Sequence, residues 1–179
     1  MNYPHAPQAQ PPKKQGMPIW LLVIIILIPV LIGGVGILAV LSIYGVRKYI
    51  TNAKSAEARN AVSFISRAAS KAYEDNHRLC PSASRSVPPK VMSARKYQSS
   101  PSEWAADEKN NAGFACLKFS MTEAQYYSYG YTATDDSFTA SATGDLNGDG
   151  TTSLFQISGH VENGQLVIDP SIREVNPDE

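Results

Sequence analysis

Within this 179-residue chain, one stretch has residue types and spacing that match a known chemistry: Asp145-Leu-Asn147-Gly-Asp149-Gly150-Thr151. Oxygen-bearing side chains on alternate residues, with glycine for the sharp turn, form the first half of a calcium loop, because hard cations select carboxylate, amide and hydroxyl oxygen. Asp145, Asn147, Asp149 and Thr151 are therefore the candidate Ca2+ ligands, and Ser153 is a further one through water. The twelfth position is Gln156, where an EF-hand carries an acid, and no helix is expected on either side. A helix–loop–helix calcium site is thus not expected, and a plain Asn/Asp/Gly turn between strands accounts for the same residues.

Cys80 and Cys116 are the two cysteines. They make one disulfide if the domain lies in an oxidising compartment, or two buried thiols if it is cytosolic. A metal set of His77, Cys80, Cys116 and His160 is too sparse to compete with the bridge. A bond between them would pin a long loop at both ends, for which chain entropy gives on the order of 3–4 kcal/mol. Tyr126, Tyr127, Tyr129 and Tyr131 could stack a ligand, yet tyrosine is also a favoured strand residue, and alternation divides them between core and surface. Asp135-Asp136 belongs in a solvated turn. The chain contains no Gly-x-Ser-x-Gly, no His-Glu-x-x-His and no phosphate-binding glycine loop, so an enzyme is not expected.

The elements that position these residues begin with charge. Sixteen basic side chains balance sixteen acidic ones, and a zero net charge argues against a nucleic-acid partner. The balance hides a split: residues 1–100 carry 13 basic and 3 acidic groups, whereas 101–179 carry 3 and 13. From Gly16 to Val46, 31 consecutive residues have no charge. That exceeds the roughly 20 residues a spanning helix needs and is about twice the apolar core of a cleaved signal peptide. A transmembrane helix is expected over 17–46, kinked near Pro29, with Gly33, Gly34 and Gly36 as a surface for close helix packing. Trp20 and Tyr44 fall where amphipathic rings favour the lipid–water boundary. Lys13 and Lys14 precede the run and Arg47 and Lys48 follow it, so positive charge alone does not orient it. Residues 1–16, rich in Pro and Gln, read as a disordered cytoplasmic tail or leader, which puts residues 47–179 on the far side of a bacterial inner membrane.

No Pro or Gly separates Val46 from Asn76, and an amphipathic helix is expected over 47–79 with Ile50, Ala53, Ala61, Phe64, Ile65, Ala68 and Ala72 as its apolar stripe. Residues 80–112, with Pro81, Pro88, Pro89 and Pro101 and the basic Arg85, Lys90, Arg95 and Lys96, read as a surface connection. A short helix capped by Ser102 interrupts it. From Ala115 onward four strands are expected: Tyr126–Thr134, Ser137–Thr143, Thr152–Ser158 and, after the Asn163-Gly164 hairpin turn, Gln165–Asp169. The last residues read as an extended tail. The fold class is α+β, an antiparallel meander covered on its apolar face by the alanine-rich helix, with residues 80–179 as the head.

The segment Gly36-Ile-Leu-Ala-Val-Leu-Ser-Ile-Tyr44 leading into Arg47-Lys-Tyr-Ile-Thr-Asn-Ala-Lys-Ser-Ala-Glu-Ala58 resembles type IV pilins and the pseudopilins of type II secretion. There Gly-Ile-Leu-Ala-Ala-Ile-Ala-Ile-Pro opens the exposed half of a long helix. Cys116-Leu-Lys-Phe-Ser, the tyrosine-rich strand and Gly144-Asp-Leu-Asn-Gly-Asp-Gly150 resemble the heads of pilin-like proteins. The resemblance implies a leader cut between Gly16 and Met17, a filament or pseudopilus subunit that associates with itself or with other pilin-like subunits, and calcium held in a β-loop. The chain departs from the family pattern at Pro18, the second residue after the cut, at Tyr44, where pilins have proline, and at the glutamate position. The fifth residue after the cut is Leu21, the alternative register gives Leu27, and neither is the glutamate tied to ordered assembly. A minor or divergent subunit is expected, in which the basic helix of one copy meets the acidic head of another. The alternative is a monomeric, membrane-tethered binding module in the periplasm that captures an envelope partner or calcium.

Overall fold

The computed structural model describes residues 16–179; of the tail or leader expected over 1–16, residues 1–15, with Lys13 and Lys14, lie outside them. Helix α1 runs from Ile19 to Asn76, 58 residues with Pro29 inside. The chain divides into two units, Met1–Gly45 and Val46–Glu179. In the first, the described part is helix with its large apolar side chains exposed on every face, among them Ile19, Leu27, Leu38 and Tyr44. Exposure of that kind suits a helix whose solvent is hydrocarbon, where every backbone group is satisfied within the segment. The helix is long and apolar enough to cross a membrane.

In the second unit the helix buries Ser55, Ala58, Ala61, Val62, Ile65, Ser66, Ala69 and Tyr73. This face is rotated from the expected stripe. Ala61 and Ile65 belong to both, Ala68 and Ala72 are half-buried, and Ile50, Ala53 and Phe64 are exposed. Serine explains the shift. Ser55 Oγ donates to the Pro177 carbonyl at 2.7 Å, and Ser66 Oγ donates to the Ser63 carbonyl at 3.0 Å, so two small polar residues enter the core with their hydroxyls satisfied. The helix ends at Asn76 where His77 turns to a left-handed φ of 50° and its N–H donates to the Tyr73 carbonyl.

The head sheet has five antiparallel strands: β1 Ser128–Ala133, β2 Ser137–Gly144, β3 Ser153–Glu162, β4 Gln165–Ile168 and β5 Arg173–Val175. The expected meander β1-β2-β3-β4 is present. The tail adds a strand that hydropathy did not reveal, because β5 is only three exposed residues paired with Leu154–Gln156 of β3. β4 pairs with the other end of β3, Gly159–Glu162, so β4 and β5 share one edge of the sheet. Strict alternation turns Phe138, Ala140 and Ala142 of β2, and Phe155 and Ile157 of β3, toward the helix. Tyr127, Tyr129 and Tyr131 sit on the same face, and all three are buried. Gly159 lies opposite Phe138, and a Cβ there would meet the ring at 2.5 Å.

Residues 80–127 cover the other edge and are not only surface. Val87 exchanges two backbone hydrogen bonds with Tyr129, and Ala83 N–H donates to the Tyr131 carbonyl, so β1 has no open side there. The expected strand character from Ala115 gives way to a helical turn, α3 Gly113–Leu117, and the first strand begins only at Ser128. The short helix is α2, Pro101–Trp104, capped by Ser100 and not by Ser102. Proline supplies its first residue, and the Glu103 carboxylate accepts from the Ser100 N–H at 2.7 Å. That hydrogen bond is the first reason the Glu103 carboxyl is held below its ordinary range.

Candidate functional site

Three places carry the residues singled out above. On the apolar half of α1, Gly33, Gly34 and Gly36 are exposed, and a side chain added at any of them would meet nothing. They leave an open, shallow surface on the helix. Gly16 and Met17, the expected cleavage pair, precede the helix and are exposed.

The second place is the β2–β3 loop. Asp145 is 2% exposed. One carboxylate oxygen accepts from the Gly148 N–H at 2.7 Å; the other accepts from Ser93 Oγ at 2.8 Å and the Gly150 N–H at 3.2 Å. Gly148 and Gly150 both take positive φ, which lets these N–H groups turn inward. Asn147 Oδ1 accepts from the Asp149 N–H and Asp149 accepts from the Thr151 N–H at 2.7 Å, the main cause of a lowered Asp149 pKa. The four residues singled out for calcium are thus brought together as a stack of Asx turns. Among the described residues no group of three or more His, Cys, Asp and Glu side chains converges. Nothing in the residue pattern signals that Ser93, 52 residues upstream, holds Asp145.

The third place is the loop between Cys80 and Cys116, whose sulfurs are bonded. Its interior is a chain of polar contacts: Trp104 Nε1 donates to Ser99 Oγ at 2.8 Å, Ser99 Oγ to Gln125 Oε1 at 3.0 Å, and Gln125 Nε2 to the Val87 carbonyl at 2.9 Å. Gln125 is fully buried and fully satisfied. Beside it, Phe64, Ala68, Lys118, Phe119 and Met121 line an open groove of about 620 Å³. Phe64 is 58% exposed, with the Arg67 guanidinium 4.7 Å from its ring centre. His77 and His160 do not join the cysteines; His160 faces Glu162 at 3.9 Å.

Sequence reading also missed the ties between helix and sheet. Glu57 Oε1 accepts from the Tyr129 hydroxyl at 2.9 Å and the Tyr126 N–H at 2.8 Å. Burial first, then the Glu57 charge, pushes the Tyr129 hydroxyl far above its ordinary pKa. Arg59 meets Glu174 of β5 through two parallel bonds of 2.7 and 2.8 Å, and Lys48 meets Asp178 at 2.6 Å. Part of the basic helix is therefore matched to the acidic C-terminus of its own chain.

No protein-family model, no curated protein and no solved structure matches the chain. The fold combines a long N-terminal apolar helix, an antiparallel sheet packed on the second half of that helix, and a disulfide. That arrangement is compatible with a pilin-like fold.

Proposed function

We propose that the protein is a membrane-anchored, pilin-like structural subunit, a minor or divergent member of a type IV pilus or type II secretion pseudopilus, that acts by assembly and not by chemistry. The observation that carries this reading is α1 itself. One helix devotes its first part to an uncharged surface with nearly all its large side chains outward, and its second part to a sheet whose core depends on it. Gly33, Gly34 and Gly36 offer the first part a place where a second helix approaches closely. The Cys80–Cys116 bond supports a head on the oxidising side of the membrane.

The test is the size of the full chain after gentle extraction from its native membrane, with lysine-reactive crosslinking before extraction. An oligomer or a ladder supports assembly. A monomer under both conditions refutes it and favours a tethered periplasmic binding module.

A further inference from the structure

One end of the head gathers the first turns of the helix from Val46, the start of β1, the β2–β3 loop and the middle of the 80–127 segment. Lys54 Nζ and Lys96 Nζ both lie over the Tyr126 ring, 4.8 and 4.9 Å from its centre. Ser93 and Ala94 are tied to Asp145, the latter by a 2.8 Å backbone hydrogen bond. The Pro88 carbonyl accepts from Ser128 Oγ at 2.6 Å, which holds the chain on the N-terminal side of Lys90 to the same end. Two cations, Lys54 and Lys96, thus meet over one ring from two separate segments, and Arg47 on the helix and Lys90 and Arg95 on the 80–127 segment lie close to them in the chain.

Among the described residues the ion pairs are Lys48–Asp178, Arg59–Glu174, Lys71–Asp75 and His160–Glu162, and none of these five cations takes part. The acidic groups at this end accept hydrogen bonds within the chain, and among the described residues only Asp178 of them pairs with a cation. Asp145 is enclosed by its loop, Glu57 holds Tyr129 and Tyr126, Asp178 holds Lys48, Glu179 accepts from Asn147, and Asp149 accepts from Thr151. Val46, Tyr49 and Ile50 are exposed beside the cations, Tyr49 by 75%. Exposed aliphatic and tyrosine side chains next to unpaired lysine and arginine are what a lipid–water boundary selects, the rings lying at headgroup level and the cations against anionic headgroups.

We infer that this end of the head is a docking surface for anionic phospholipid headgroups. Lys90, Arg95 and Lys96 of the 80–127 segment extend the contact begun by Arg47 and Lys54 on the helix. The inference rests on the membrane-anchored reading. It gives a role to five cations that form no ion pair among the described residues, and to the uncovered Tyr49 and Ile50.

The test is hydrogen exchange of the full chain, one copy per lipid nanodisc, in phosphatidylcholine alone and with phosphatidylglycerol added. The amides from Val91 to Lys96 report, and Ala94 serves as the reference because it is already bonded to Asp145. The expected result is exchange slowed about threefold or more by phosphatidylglycerol, an effect that fades as salt shortens the screening length below about 8 Å. The triple variant K90E/R95E/K96E loses the slowing while its Cys80–Cys116 bond stays intact. Equal exchange in both lipids, with the chain still in the disc, overturns the docking surface and leaves the anchor standing. Failure of the chain to enter discs of either composition overturns the anchor itself. Slowing that needs two chains per disc and no phosphatidylglycerol assigns the surface to a second copy and refutes the lipid.

Discussion

Removing the Glu57 carboxylate should loosen the head more than any other single exposed-to-core contact on the helix. Its Oε1 takes two donors, and one of them, the Tyr129 hydroxyl, belongs to a side chain with no exposed surface. Truncation to alanine leaves that hydroxyl buried without an acceptor and strips a partner from the Tyr126 N–H. An unsatisfied buried donor costs about 1–3 kcal/mol, and the second donor, half-buried, costs less, so Glu57→Ala should destabilise by about 2–4 kcal/mol. Tyr129→Phe removes donor and demand together and should cost about 1 kcal/mol, so the double-mutant cycle should give a coupling of about 1–2 kcal/mol. For a unit of this size that is about 3–5 °C of Tm per kcal/mol. Thermal unfolding of the full chain in detergent, followed by the fluorescence of buried Trp104, reads the change. A Glu57→Ala protein within about 0.5 kcal/mol of the parent, with its disulfide intact, would refute the assignment of Glu57 as the clasp.

The other expectations are narrower. Glu174 is held below its ordinary pKa by the Arg59 guanidinium. Its contribution, about 0.5–1 kcal/mol for a pair about a third exposed, is present above pH ~4.5 and disappears as the pH falls through the lowered folded value. The loss should vanish from the acid limb of the stability curve in Glu174→Gln. Gly159→Ala places a methyl 2.5 Å from the Phe138 ring and 3.0 Å from the Val167 carbonyl, and should cost about 1–3 kcal/mol by denaturant unfolding. Replacing Cys80 and Cys116 together with serine should lower stability by about 2–4 kcal/mol and leave the helix signal in circular dichroism intact. Calcium affinity rises with the number of charged ligands, and the loop offers two carboxylates of which Asp145 is enclosed. Titration calorimetry should therefore show no binding tighter than millimolar, and heat that is lost in Asp149→Ala would reinstate the loop as a cation site.

Periodicity and punctuation were enough to read the order of elements. An uncharged run of 31 residues is long enough for a helix to cross a membrane, and the structure makes it one helix with its apolar side chains outward. Alternation in Ser137–Gly144 and the Asn163-Gly164 turn place β2 and the β3–β4 hairpin, since both signals are local. The single pair of cysteines left one bridge to make, and the structure makes it.

Only tertiary contact decided the rest. The buried face of α1 includes Ser55 and Ser66 because the Pro177 and Ser63 carbonyls accept their protons, and a hydropathy pattern cannot count a hydroxyl as apolar until its acceptor is known. β5 forms where Arg173–Val175 pair with Leu154–Gln156, and Arg59, 115 positions away, holds its Glu174. Glu57 is a surface acid in the sequence and a clasp in the fold, for two donors arrive from strand residues about seventy positions further on. The charge split along the chain looks like material for contacts between copies, yet Lys48 and Arg59 spend theirs on the chain's own C-terminus, while Arg47, Lys54, Lys90, Arg95 and Lys96 form no ion pair among the described residues. Local propensity fixes what each segment becomes; the partners of a charge or a buried hydroxyl come from distant segments, and the fold alone brings them within reach.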